Sequence, residues 1–200
     1  QSLEQAFEQL KDGADIIDIG AESARTNRQA ISVEEEIERL TPFLKAWPQL
    51  LEKWENASEF HHPDALATPL LSINTWRSEV IEAILPLGGD IINDISALPS
   101  PKNAELCAQH GAALLVMHSI GEPKVPHTHV AYTDILDELD RFFADRIAVC
   151  KQAGLSEEQI ILDPGIDFAK QKDDNLAIYR HLDRFSKFHL PILLPVSRKT

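Results

Sequence analysis

The chain has 200 residues, 44% of them hydrophobic and 26% charged, with a formal net charge of −13. That length and composition suit one domain, residues 1–200, with a substantial core and a polar surface. The acidic balance argues against nucleic acid or an anionic membrane as partner, but a few local cations could still hold a small anionic ligand. No apolar run reaches membrane-spanning length and no signal-peptide pattern opens the chain. Cys107 and Cys150 both fall in helix-like stretches. They read as buried thiols of a reducing, cytoplasmic compartment rather than as a disulfide.

In chain order, residues 2–11 space Leu3, Ala6, Phe7 and Leu10 along one helical face, stopped by Gly13. Residues 14–20 read as a strand with Asp18 near its end. A polar loop holding Glu22 and Arg25 leads to Ser32, which with Glu35 forms a capping-box pattern opening a helix towards Lys45. Residues 47–68 are long for a connection and read as part of a helix plus an insertion. Residues 70–74 form the next strand, and Thr75 caps a helix to Leu85, before Pro86 and Gly88-Gly89.

Residues 90–94 are a short strand closing on Asn93-Asp94. A helix over 102–110 and a strand over 112–117 lead into His118. A loop with Pro and His follows over 120–130, then a long amphipathic helix over 132–153, ended by Gly154. The run Ile160-Ile161-Leu162 stops at Asp163, where Pro164-Gly165 force a turn. Asp173 or Asp174 opens a helix to about Phe185. Residues 191–196 are the last strand, closed by Ser197-Arg198-Lys199-Thr200.

About six strands alternate with helices and no hairpin signal intervenes, so the class is α/β with parallel strands. Polar residues at successive strand ends favour a shared pocket in a TIM (β/α)8 barrel, with one strand expected upstream and one strand–helix unit downstream. A doubly wound open sheet is the alternative, although the Gly-rich dinucleotide turn is absent.

Asp163, at the carboxyl end of a buried strand, has two acceptor oxygens for a ligand edge bearing two adjacent N–H donors; it could equally cap the turn. His61, His62 and Asp64, and His127 with His129, lack partner ligands at metal-binding spacing and read as loop residues. Trp47, Trp54 and Trp76 read as packing residues.

Six blocks carry a wider pattern: residues 13–20 with Glu22, Ser23 and Arg25; Ser72-Ile73-Asn74-Thr75; residues 90–94; Met117-His118 with Gly121 and Pro123; residues 162–166 with Phe168 and Lys170; and Ser197-Arg198-Lys199. In this order they resemble dihydropteroate synthase of the folate pathway, a family of pterin-binding TIM barrels. The resemblance runs from Gly13 to Thr200 apart from residues 47–68.

It implies condensation of dihydropterin pyrophosphate with para-aminobenzoate, releasing pyrophosphate, with magnesium (Mg2+) on the diphosphate. The main protein ligand of that ion is expected on the missing first strand. The catalytic set it implies is Asp18, Asp163, Lys199 and Arg25. The substrate-binding set is Asn74, Asn93, Met117, Phe168, Ser197, Arg198 and Thr200. It also implies a possible homodimer.

The chain departs from the family's pattern at Asn74, usually Asp, and in the loop Ala24-Arg25-Thr26-Asn27. It departs again at Asp167 and Ala169, both usually Gly, where a positive φ would cost on the order of 1 kcal/mol. These departures keep a non-catalytic pterin-binding paralogue, or a domain of a folate-enzyme fusion, as an alternative. A methyltetrahydrofolate–corrinoid methyltransferase on the same barrel is a weaker one.

Overall fold

A computed structural model describes residues 2–23, 28–57, 66–125 and 130–196. Short runs of branched apolar residues form β1 (Ile16–Gly20), β2 (Leu70–Asn74), β3 (Ile91–Asp94), β4 (Ala113–Met117) and β5 (Ile160–Asp163). Amphipathic segments form α1 (Ser2–Lys11), α2 (Val33–Glu55), α3 (Ser78–Ile84), α4 (Lys102–His110), α5 (Ile135–Gln152) and α6 (Lys172–Arg180).

The five strands lie in the order of the sequence, each parallel to the next. A doubly wound sheet must reverse direction at a switch point. This one never does, so the winding is that of a barrel, here an arc of five strands. One face of the arc packs under the helices. Ile17, Leu71, Ile73, Ile92, Leu114, Val116, Ile160 and Leu162 join Leu40, Leu44, Ile81, Leu139 and Phe143 in the main core. The other face carries a separate small apolar cluster of Ile91, Ile95, Leu115 and Met117.

Several boundaries differ from expectation. The helix expected to run towards Lys45 continues to Glu55, through Pro42 and Pro48. Each proline removes one backbone donor. The buried stripe of Leu40, Phe43, Leu44, Trp47, Leu50 and Trp54 outweighs that loss. The helical part of the span read as helix plus insertion is residues 47–55, and Trp47 and Trp54 are packing residues as expected. Residues 58–65, with His61, His62 and Asp64, lie outside the described residues.

Ser32 caps α2, accepting from the Glu35 N–H at 3.1 Å. The Glu35 carboxylate turns to Arg39 instead of closing the box. Thr75 does not cap α3: the helix opens three residues later with Arg77 at its N-cap. The chain uses those residues to turn from β2, and Thr75 is fully buried. The strand expected over 191–196 is reduced to a single bridge between Leu162 and Ile192. Pro191 and Pro195 lack backbone donors. α6 ends at Arg180, and residues 182–188 continue as 3-10 turns.

Cys107 and Cys150 are free and buried. Burial pushes their thiols up to about 12 and about 11 respectively, so both are inert at neutral pH.

Asp94 points to the helical side and is fully buried. Its Oδ1 accepts from Ser96 N–H at 2.7 Å and Ser96 Oγ–H at 2.5 Å. Its Oδ2 accepts from Asn103 Nδ2 at 2.8 Å. The same Asn103 amide donates to the Trp76 carbonyl at 3.0 Å and accepts from Ser78 Oγ at 2.7 Å. One buried side chain thus ties the loop after β2 to the loop after β3, and removing it strands three polar partners. Asn103→Ala is expected to destabilise the protein by about 2–4 kcal/mol, measured as a lower urea midpoint with an unchanged m-value.

Candidate active site

Side chains along a strand alternate between faces, so parallel register decides which residues share one. Asp18 lies opposite Ser72, and Ser72 opposite Ile91. Gly20, Asn74 and Asn93 align across β1, β2 and β3, and Asn93 aligns with Leu115. Met117 aligns with Asp163. All of these fall on the concave face, opposite the helices. The five predicted strand residues, Asp18, Asn74, Asn93, Met117 and Asp163, therefore share one surface. Phe168 packs against the Met117 cluster from the loop after β5. So does Trp76 from the loop after β2, a packing residue as expected, here on the concave side.

Two predicted residues touch. The Asp18 Oδ1 accepts from Asn93 Nδ2 at 3.2 Å and from Ser72 Oγ at 2.6 Å. Burial raises the Asp18 carboxyl above its ordinary value, and those two donors oppose the rise. Asp18 still presents accessible surface because β1 is the edge strand of the described sheet. It is crowded by protein on one side and open on the other.

Asp163 is only 6% exposed. Its Oδ1 accepts from the Gly165 N–H at 2.7 Å, and its backbone carbonyl accepts from His118 N–H at 2.8 Å. The turn reading of Asp163 is thus correct, and it leaves the carboxylate at the carboxyl end of β5. Gly165 has φ 67°. A Cβ there would meet the His118 carbonyl oxygen at 2.0 Å, so only glycine fits.

Asp167 and Ala169, the two departures from glycine, do take left-handed backbone, at φ 67° and 50°. Each is braced. Asn175 donates to Asp167 Oδ1 at 2.6 Å and accepts from its N–H at 3.1 Å. Tyr132 Oη–H donates to the Ala169 carbonyl at 2.9 Å.

Beneath this loop, Lys170 Nζ donates to His118 Nδ1 at 2.9 Å, to the His118 carbonyl at 3.2 Å and to the Phe168 carbonyl at 3.1 Å. Burial lowers Lys170 to about 7, with the charges of Asp163 and Asp174 opposing the fall. Burial, aided by the Lys170 cation, lowers His118 to about 3. His118 is therefore neutral, and accepting at Nδ1 assigns its proton to Nε2.

The rim loops are joined by charge. Glu22, after β1, accepts from Lys124 Nζ at 2.6 Å and pairs with Arg77 at 2.6 Å. Arg77 also pairs with Glu36 of α2 at 2.7 Å. Lys124 reaches the Gln29 carbonyl at 3.2 Å. Two carboxylates and two cations thus balance in a little-exposed cluster joining the loops after β1, β2 and β4. Glu22 and Lys170 stood in the sequence blocks without an assigned role, because neither periodicity nor spacing shows where a loop side chain turns.

Arg25, Ser197, Arg198, Lys199 and Thr200 lie outside the described residues, as do His127 and His129. Among the described residues no three His, Cys, Asp or Glu side chains converge as a metal cage, and no helix is long and apolar enough to cross a membrane.

The whole chain, residues 1–200, matches the family described as pterin binding enzyme. Dihydropteroate synthase of Escherichia coli K12 is 37% identical over 188 residues, which cover 94% of this chain and 61% of that protein. The Synechocystis dihydropteroate synthase is 35% identical over 200 residues, covering 100% of this chain and 64% of that protein. Among solved structures, Yersinia pestis dihydropteroate synthase with a sulfonamide drug complex aligns at TM-score 0.82 and 32% identity, covering 99% of this chain and 66% of that one. The Thermus thermophilus enzyme in complex with 4-aminobenzoate aligns at TM-score 0.81 and 34% identity, covering 98% and 68%. The chain spans 61% to 64% of the length of these two curated relatives.

Gly165 and Ala169 should respond oppositely to a change of one methyl group. Gly165→Ala combines left-handed backbone with a backbone clash and is expected to cost about 3 kcal/mol or more. Ala169→Gly relieves the same backbone strain without a clash and is expected to stabilise by about 0.5–1 kcal/mol. Thermal unfolding of the two variants measures both signs.

Proposed function

The chain belongs to the pterin-binding enzyme family, and from that premise we propose that it carries the pterin site of a dihydropteroate synthase. The reaction condenses 7,8-dihydropterin pyrophosphate with para-aminobenzoate to give dihydropteroate and pyrophosphate, a step of folate biosynthesis. The observation that carries this reading is the shared concave face, where Asp18, Asn74, Asn93, Met117 and Asp163 meet by register.

The residues suit a flat, nitrogen-rich ring. Asp163 can accept from a ring N–H and the neighbouring exocyclic NH2 of an amino-pyrimidinone edge. Asn93 offers a donor and an acceptor beside it, while Met117 and Phe168 supply soft apolar surface for the ring faces. The C–O bond to pyrophosphate breaks and takes its electron pair to the leaving group. The resulting cation is delocalised over the electron-rich dihydropterin. Asp18 and Asp163 favour that charge. The aniline nitrogen then bonds to the exocyclic carbon and loses its proton to solvent.

Arg25 would stabilise the departing pyrophosphate, Lys199 would reach a ring nitrogen or carbonyl, and Ser197, Arg198 and Thr200 would receive the aminobenzoate end. These five assignments rest on the family resemblance. The described residues do not form a resident cage for a divalent ion, so no step is assigned to one; magnesium would arrive on the substrate's own diphosphate oxygens. A homodimer and a cytoplasmic location complete the reading, the latter in keeping with two free buried thiols.

Asn74 favours a second reading, a pterin-binding relative without turnover. It stands in register with Asn93 on the ligand face, where an amide can hydrogen-bond but brings no negative charge.

Pyrophosphate release from dihydropterin pyrophosphate, dependent on added para-aminobenzoate, decides between the two readings: release supports the synthase, and pterin binding without release supports the second. In either case Asp163→Ala should weaken pterin binding by about 100-fold, because an edge with two donors loses its charged acceptor; unchanged calorimetric affinity would remove Asp163 from the site.

Asp18 gives a pH-linked test. Its folded value is raised above the unfolded one, so its ionised form opposes folding at neutral pH and stability falls as pH rises through the folded value. Asp18→Asn should therefore raise the thermal midpoint at pH 7 while lowering turnover, and the stability gain should vanish below the ordinary carboxyl range.

A further inference from the structure

One buried cation among the described residues has no part in the reaction derived above. Lys170 is 8% exposed, and its three ammonium protons meet three acceptors: His118 Nδ1 at 2.9 Å, the His118 carbonyl at 3.2 Å and the Phe168 carbonyl at 3.1 Å. Those acceptors belong to two segments, the residue after β4 and the loop after β5. Between them lies Gly165, where a Cβ would stand 3.2 Å from Lys170 Nζ and 2.0 Å from the His118 oxygen. The loop backbone is thus drawn tightly onto the end of β4. Gly165 in turn donates its N–H to Asp163 Oδ1 at 2.7 Å. The contacts form a circuit through Asp163, Gly165, His118, Lys170 and Phe168, and two of its members, Asp163 and Phe168, are proposed ligand contacts.

We propose that Lys170 is a positioning residue for the pterin site: it pins the loop after β5 to the end of β4 and sets a positive charge beside Asp163. This rests on the functional reading above. The charges facing Lys170 are Asp163 from β5 and Asp174 from α6. His118, after β4, is neutral, and the Tyr132 hydroxyl ahead of α5 is held on the Ala169 carbonyl and raised to about 12, chiefly by burial. Pairwise charge interactions are mutual: Asp163 helps to keep Lys170 protonated, so Lys170 helps to keep Asp163 ionised. That matters most when a ring covers the site and removes water. A protonated acid cannot accept from both N–H donors of the ring edge.

The test uses the full gene product with dihydropterin pyrophosphate as titrant, followed by calorimetry from pH 4.5 to 6, below the value of about 7 to which burial lowers Lys170, so that its ammonium form predominates. Three variants are compared. K170M removes charge and donors, K170Q removes charge but keeps two N–H donors, and K170R keeps the charge. K170M and K170Q should bind the pterin about tenfold more weakly at pH 6, with the acid limb of the affinity profile displaced upward by about one pH unit. K170R should keep the wild-type limb. The KM for para-aminobenzoate should stay within about twofold, a split that general loosening of the fold would not give.

K170Q with wild-type affinity and acid limb overturns the proposal, as does an equal rise of both KM values. Unfolding of both neutral variants beside a folded K170R shows that the charge serves the fold alone, and also overturns it. A wild-type protein that binds no pterin overturns the functional reading and this inference together, whereas pterin binding unaffected by the neutral variants overturns this inference alone.

Discussion

A parallel strand offers its neighbour a fixed register, and each residue along it changes face. Everything proposed for this protein depends on that parity. A slip of one residue in β3 would carry Asn93 to the helical side and bring Asp94 to the concave one. The two face opposite fates. Asn93 reaches Asp18 across the sheet, and Asp94 disappears under α4 into a bonded network with Ser96 and Asn103. Adjacent polar residues in one short strand thus do different work, one at the ligand face and one in the scaffold. Apolar packing enforces the choice, since Ile92 packs with Leu114 and Val116 on the helical face and a slip of β3 would carry Ile92 out of that core.

Parity places the strand residues, but the loops must be held by other means. At the β1–β2 side the device is ionic: Glu22, Arg77, Glu36 and Lys124 come from separate segments and neutralise one another with little exposure. Such clusters add little net stability over apolar packing, because desolvation offsets most of the attraction. What they give is a defined arrangement, since breaking any one pair leaves a charge uncompensated. At the β4–β5 side the device is a lysine saturated by three acceptors, over a glycine that no larger residue can replace.

The sequence made the periodic features readable. β2 was read at its observed bounds, and so were α1 and α4, because alternation and caps are local. Parallelism followed from the absence of hairpin signals, and the concave set from the habit of polar strand ends. The errors arose where tertiary burial overrode a local rule. The helix after Ser32 was expected only towards Lys45, yet a buried stripe with two tryptophans carries α2 through Pro48 to Glu55. Residues 191–196 read as a strand from composition, yet ladder bonds need a partner register, and the described residues give only one bridge. His118, Tyr132, Lys170 and Asn175 could not be given roles from sequence, because their chemistry lies in contacts between loops far apart in the chain.

Asp167 and Ala169 show how the loop after β5 tolerates departure from glycine. A side chain at positive φ is strained unless the surroundings fix it there. Here the strain sits on either side of Phe168 in the segment from Asp163 to Lys170, and each strained residue has its own brace: Asn175 from α6 for Asp167, and the Tyr132 hydroxyl for the Ala169 carbonyl. The braces come from outside the loop, so its conformation is dictated by α6 and the approach to α5 as well as by its own residues. A glycine-rich version could reach the same shape but would visit many others. Substitution with bracing trades backbone freedom for strain and leaves a narrower set of positions for Asp163 and Phe168. That is the trade expected where a loop must hold ligand contacts in place between encounters.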